Sequence, residues 1–304
     1  MTSLRDAVEA GPVALDGGLG TLLEARGNDL SSPLWSAQLL LDHPGEIRAA
    51  HAEFFTAGAR VAITSSYQVS YEALEAVGLD TAAVDLLLTR SVQLARQARV
   101  EAGLADQAWV AASVGPFGAA RADGSEYTGD YGMTVDELRA WHRPRLYALA
   151  AAGADILAIE TIPSLAEVEA LVLELDALAA PAWLSVTIAD GALRSGDALA
   201  EAFAVAAASP AVVAIGVNCC DARDVHAALA IAATLTEKPL IAYPNSGESW
   251  DAVHRTWSGR GAPIQSHVRG WVEAGARLVG GCCRVTPAEI TALSAALVET
   301  AAAR

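Results

Sequence analysis

The sequence predicts a single-domain α/β fold, a closed (β/α)8 barrel spanning residues 1–304, and three observations carry that expectation. Eight short apolar runs alternate with stretches of helical spacing, no linker-like segment separates them, and most of the runs end in polar or sulfur-bearing residues. Barrels of about 250 residues commonly form one domain, and polar residues at the carboxyl ends of their strands read as functional. An open doubly wound sheet is the alternative, because spacing alone does not show closure. Hydrophobic residues make up 53% of the chain and aromatics only 6%. The interior must therefore be Ala, Leu and Val, the filling of helices packed on a parallel sheet.

The elements follow in order. Val13-Ala-Leu-Asp16 is a short strand ending in an acid and the glycines Gly17 and Gly18, with a helix over 19–26 behind it. A dinucleotide fingerprint starting at Gly18-Leu-Gly20 would put its third glycine on Leu23, which argues against that use, and the plainer reading is that Asp16 caps the following helix. Residues 28–43 are irregular. Pro44-Gly-Glu-Ile47 then starts a helix carrying Ile47, His51, Phe54 and Phe55 on one face, and Gly58 stops it. Strand two, from Val61, ends in Thr64-Ser-Ser-Tyr67-Gln68. Helices over 71–78 and 81–101 lead to strand three, Trp109–Val114.

The glycine-rich stretch 117–132, with Asp123, Glu126, Tyr127, Asp130 and Tyr131, is long enough to be a functional loop covering a site rather than a plain surface insertion. Thr134 and Glu137 form a capping box for a helix that holds Pro144 in its interior, where a kink is expected. Strand four, Asp155–Thr161, carries Glu160 at its end. Ser164 and Glu167 form a second capping box. Strand five is Trp183–Ile188, with a helix over 198–208 after it. Strand six, Val212–Asn218, delivers Cys219 and Cys220. Strand seven, Leu240–Asn245, is followed by a long segment, 246–270, containing Trp250, Trp257 and Gly259-Arg-Gly261, which suits the rim of a site. Strand eight, Leu278–Gly281, delivers Cys282 and Cys283, and Thr286-Pro-Ala-Glu289 caps the last helix.

Composition narrows the partners. A net charge of −16 argues against nucleic acid and anionic membranes and is compatible with a cationic small substrate. The N-terminal residues lack a basic segment followed by an apolar one, so a secretory signal is not expected, and no stretch reaches the ~20 apolar residues of a membrane helix. All four cysteines fall in two adjacent pairs. That is no disulfide scaffold, and a reducing cytoplasm is the expected setting.

If the strands bearing the cysteine pairs are neighbours, three or four thiols meet at one barrel face. Soft thiolates in that number favour zinc, and three protein ligands leave a fourth tetrahedral position for substrate. Adjacent strand residues point to opposite faces, so strand geometry leaves open which of Cys219 and Cys220 ligates. The other strand ends supply binding candidates: Asp16 and Gly17, Ser66 and Tyr67, Glu160, Asn218, Tyr243 and Asn245. The two carboxylates could hold an ammonium group, and the amides and hydroxyls a carboxylate. A thiolate-rich zinc is a poor Lewis acid for water, and its better use is to deprotonate a substrate thiol. That implies alkyl transfer to sulfur.

Gly-Val-Asn-Cys219 together with Gly-Gly-Cys282-Cys283 resembles the zinc signature of the homocysteine S-methyltransferase family. The resemblance extends through Leu15-Asp-Gly-Gly18, His43-Pro-Gly-Glu-Ile47, Thr64-Ser-Ser-Tyr-Gln68, Gly115-Pro-Phe-Gly118, Asp123-Gly-Ser-Glu-Tyr127, Glu160-Thr-Ile-Pro163 and Tyr243-Pro-Asn-Ser-Gly-Glu248. It is strongest with the short members that use S-methylmethionine or S-adenosylmethionine. It implies zinc held by Cys219, Cys282 and Cys283, with Cys220 outside the coordination sphere, and Asp16 and Glu160 at the homocysteine amino group. The expected enzyme methylates L-homocysteine to methionine from a sulfonium donor, as a monomer or homodimer. Other expectations are a different donor or acceptor, such as betaine or selenohomocysteine, and a non-catalytic cysteine-zinc redox sensor.

Overall fold

In parallel sheets covered on both faces, strands are buried on both sides, and the alternation of their side chains separates two cores. The computed structural model describes residues 2–30, 36–121, 123–251, 256–259 and 261–302. Its eight parallel strands are β1 (Val13–Ala14), β2 (Val61–Ile63), β3 (Trp109–Val114), β4 (Ile156–Ile162), β5 (Ala182–Val186), β6 (Val212–Asn218), β7 (Leu240–Tyr243) and β8 (Ala276–Val279). Each pairs with the next in sequence, and β8 pairs with β1. A parallel bridge between Leu15 and Val61 joins β1 to β2 and completes the ring. The architecture is a TIM-type barrel, as the sequence predicts, and the open-sheet alternative falls away.

Alternation along each strand is plain. Trp109 and Ala111 of β3, Ile156 and Ala158 of β4, and Trp183 of β5 belong to the inner cluster. Their neighbours Val110, Ala112, Leu157, Ile159 and Leu184 pack outward under the helices. Glu160 continues the inward series of β4 by one more step, which puts it at the carboxyl end of the barrel interior.

Several elements differ from expectation. A helix over Leu4–Ala10, with a complete Ser3/Asp6 capping box, has no counterpart in the sequence reading. Its Leu4 and Val8 join the inner cluster with Val13, Trp109 and Ile156, all near the amino ends of their strands, so the helix plugs the bottom of the barrel. Within 28–43 a helix forms over Ser36–Asp42. Beyond β5 the chain makes a small hairpin, Ile188–Ala189 with Ala192–Leu193. The helix Val135–Ala151 holds Pro144 in its interior, as expected. Ser164 caps its helix by accepting from Glu167 N, but the return bond of a capping box is absent. The Glu167 carboxylate is instead buried against His142 Nε2 at 2.8 Å and accepts from Phe117 N at 2.6 Å.

The 246–270 segment contains an antiparallel pair, Ser249–Asp251 with Thr256–Ser258. Arg260, and the side chains of Trp250 and Trp257 with any aromatic contact they make, lie outside the described residues. No described helix is long and apolar enough to cross a membrane.

Candidate active site

The carboxyl ends of β1, β2, β4, β6, β7 and β8 surround a cavity of about 190 Å³ whose wall includes Tyr67, Glu126, Glu160, Cys219, Cys282 and Cys283. Larger clefts lie elsewhere on the surface, one of about 870 Å³ between outer helices near Tyr71 and Asp85, but none of the cysteines lines them.

Local backbone geometry brings the three sulfurs together. Cys219 adopts a left-handed conformation with φ 49°, unusual for a residue with a side chain and costing about 1–2 kcal/mol. The turn it makes sends its side chain to the cavity and buries Cys220 in the outer core among the helices. Backbone bonds fix all three: Cys219 N donates to Tyr243 O (3.2 Å), Cys282 N to Pro244 O (2.7 Å) and Cys283 N to Asn245 Oδ1 (3.1 Å). Gly17 permits the approach of this loop to β1, since a Cβ there would lie 2.4 Å from Val285 O.

Sγ of Cys283 lies 3.9 Å from both Cys219 Sγ and Cys282 Sγ, and all three sulfurs are within 4.8 Å of one another. Three thiolates bonded at about 2.3 Å to one tetrahedral ion would stand about 3.8 Å apart. The cluster therefore fits a single zinc-sized ion, and Cys219, Cys282 and Cys283 are the residues that could hold it. Without metal, S–H donation from Cys282 and Cys283 holds the Cys219 thiol well below its ordinary value. Hydrogen bonding to Cys219 pushes Cys282 and Cys283 upward. Tyr127 OH approaches Cys219 Sγ at 3.5 Å, and the Arg194 guanidinium lies 5.6 Å from the centre of the Tyr127 ring.

Carboxylates dominate the rest. Glu160 accepts from Ser113 Oγ, and burial pushes its carboxyl up to about 7. Asp16 is buried and does not itself line the cavity, and its carboxyl is pushed well above the usual range by that burial. Ile63 N donates to Asp16 Oδ2 at 2.8 Å, while Oδ1 is buried without a partner among the described residues. Among the described residues, no Lys, Arg or His lines the cavity.

The sequence pattern of homocysteine S-methyltransferase matches residues 13–297. The chain is 48% identical over 291 residues to the homocysteine S-methyltransferase of Escherichia coli (strain K12), covering 92% of this chain and 94% of that protein. The chain belongs to the homocysteine S-methyltransferase family. Homocysteine S-methyltransferase 4 of Zea mays is 45% identical over 311 residues, covering 96% of this chain and 91% of that protein. Among solved structures, the metallated form of the homocysteine methyltransferase MmuM from Escherichia coli superposes with a TM-score of 0.85 at 45% identity, covering 94% of this chain and 96% of that one.

For a homocysteine S-methyltransferase family member, the placement of the individual residues is informative. Gly17, Tyr67, Glu160 and Tyr243 line the cavity with the three cysteines. Ser66, Asn218 and Asn245 do not, and each binds the protein itself. Ser66 Oγ donates to Ser113 O at 2.7 Å. Asn218 grips Thr161, accepting from its N–H and donating to its Oγ1, both at 2.7 Å. Asn245 holds the Cys283 backbone, as described above. Thr161, at φ 62°, lines the cavity unforeseen, with Gln68, Glu126 and Tyr127. The signal for Glu126 and Tyr127 was present in the loop 117–132, but a loop without periodicity does not single out which residues face inward.

Proposed function

We propose that the protein methylates L-homocysteine to methionine at a zinc ion held by Cys219, Cys282 and Cys283, with a sulfonium compound, S-methylmethionine or S-adenosylmethionine, as methyl donor. The convergence of three sulfurs on one cavity carries this reading. When bound, zinc supplies the charge that keeps the homocysteine sulfur deprotonated at neutral pH.

The chain's own groups provide the rest. Glu160, with Asp16 beneath it, accepts the homocysteine ammonium and orients the sulfur toward the cysteines. The faces of Tyr67 and Tyr127 stand beside the incoming cation, a contact of about 1 kcal/mol each. The loop carrying Glu126 and Tyr127 excludes water from the transfer. A bond forms between the homocysteine sulfur and the methyl carbon, while the electron pair of the broken bond stays on the donor sulfur, which leaves as a neutral thioether. A wall with carboxylates and, among the described residues, no basic side chain favours a cationic donor over an anionic one. A cavity of about 190 Å³ suits amino-acid-sized ligands and so favours S-methylmethionine over the bulkier nucleoside donor. The thiol site belongs in a reducing compartment, the cytoplasm.

Purified protein with homocysteine and each donor tests the reading. We expect one zinc per chain, methionine formation with S-methylmethionine, and loss of that activity on chelation with recovery on zinc addition. Undiminished methionine formation by fully zinc-free protein would overturn it.

A further inference from the structure

The cavity wall includes carboxylates from separate elements, Glu160 of β4 and Glu126 of the loop 117–132. Glu160 has one oxygen engaged by Ser113 Oγ, and Asp16, which does not line the cavity, has one engaged by Ile63 N. Glu126 reaches the same wall from another element, the short 3-10 turn Ser125–Tyr127 of the loop. Its Oε2 is buried and has no hydrogen-bond partner among the described residues. The loop comes this close because residue 118 is glycine: a Cβ there would lie 2.3 Å from Glu126 N. Glu126 is near enough to Cys219 and Tyr67 to act on both electrostatically.

An unpartnered carboxylate oxygen withdrawn from water is unfavourable unless something else compensates it. Among the described residues nothing in the wall does so, because none of those lining the cavity is basic. Arg194 lies behind the Tyr127 ring, and Arg121 pairs with Asp123. Glu24 lines the cavity too, but it is exposed to solvent. Burial pushes the Glu126 carboxyl up to about 7, the response of a group that lacks a cation.

We infer that Glu126 is the residue that selects the methyl donor by its positive charge, its carboxylate standing in the cavity wall on a different element from the Glu160 carboxylate that holds the acceptor. The assignment rests on the sulfonium-dependent transfer proposed above. Two cationic groups enter this cavity during a turnover, the acceptor's ammonium and the donor's sulfonium. They would compete if a single carboxylate cluster served both. Carboxylates on separate elements, Glu160 on β4 and Glu126 on the loop, give each cation its own partner. Glu126 thereby discriminates against neutral compounds of the same shape.

The test compares S-methylmethionine with its carbon isostere, 2-amino-5-methylhexanoate, in which a neutral CH replaces the sulfonium sulfur. Binding of each to zinc-loaded wild type, Glu126→Gln and Glu126→Asp is measured by calorimetry, beside donor and homocysteine KM, kcat, zinc content and melting temperature. Wild type should prefer the sulfonium by about tenfold or more. Glu126→Gln should lose most of that preference and raise the donor KM by a similar factor, with homocysteine KM and zinc content within about twofold of wild type. Glu126→Asp should keep much of the preference, which a merely structural role of the side chain would not predict. The same preference in Glu126→Gln as in active wild type would overturn the inference and leave the transfer reading intact. Wild type that forms no methionine from any sulfonium donor would instead sink the transfer reading itself.

Discussion

Cys219 is where backbone conformation and site chemistry meet. Its φ of 49° decides which of two adjacent cysteines faces the cavity, a choice that strand alternation leaves open. Cys220, one residue on, is fully buried among apolar side chains, and burial pushes its thiol upward. The two should therefore respond differently to substitution. Cys219→Ala should abolish methyl transfer and weaken zinc binding by more than the ~10–100-fold typical of losing a supporting hydrogen bond. Cys220→Ala should keep its zinc and cost only about 1 kcal/mol of stability through the small void left behind. Zinc titration with a competing chelator, paired with denaturant unfolding, separates them, and equal zinc loss in both variants would contradict the assignment. The thiols were legible in the sequence because they end apolar runs. The orientations of Asn218, Asn245 and Ser66 were not, because a side chain at a strand tip turns with the local backbone. Asn218 faces Thr161 rather than substrate because Thr161 itself is left-handed at φ 62° and its N–H needs an acceptor.

At the scale of elements, the loop 117–132 shows how far pattern reading reaches. Its length and glycine content marked it as a cover, and Glu126 and Tyr127 do line the cavity. What anchors it was invisible. Glu167, which the sequence assigns to a capping box, is buried under the loop's start, bonding Phe117 N and His142 across 50 and 25 residues of chain. A long-range partner outcompeted a local one, and no spacing rule reports that. The close packing of Gly118 on Glu126 N makes a specific test of the cover. Gly118→Ala must displace the loop, since overpacking of this kind costs about 1–3 kcal/mol or moves the backbone. We expect kcat/KM to fall by about tenfold or more while zinc content stays at the wild-type level, because the cysteines are held from β6, β7 and β8. Normal kinetics in a stably folded Gly118→Ala protein would show that the loop does not take part.

For the whole molecule, the eight strand-helix units could be read from the sequence because parallel strands buried on both faces leave continuous apolar runs. The plug at the barrel floor could not, because the helix Leu4–Ala10 buries only Leu4 and Val8, too few to mark a period. One buried group in the outer shell also sets how the fold as a whole responds to acid. His51, on the inner face of the helix Pro44–Thr56, is fully buried and neither ring nitrogen has a partner among the described residues. Burial alone lowers its pKa from 6.5 to about 4, so the folded protein keeps the ring neutral where the unfolded chain would protonate it. Because the folded value lies below the unfolded one, the stability linked to His51 is complete above about pH 6.5 and drains away as pH falls toward 4. The loss between pH 7.5 and 4.5 should be on the order of 2–3 kcal/mol. His51→Leu, close in volume and unable to take a proton, should remove that share of the acid sensitivity. Denaturant unfolding of both proteins in zinc-free form isolates the effect from metal release, which acid also drives. If His51→Leu loses as much stability as wild type over that interval, the acid response belongs to other groups, and the ring must gain a compensating partner when it is protonated.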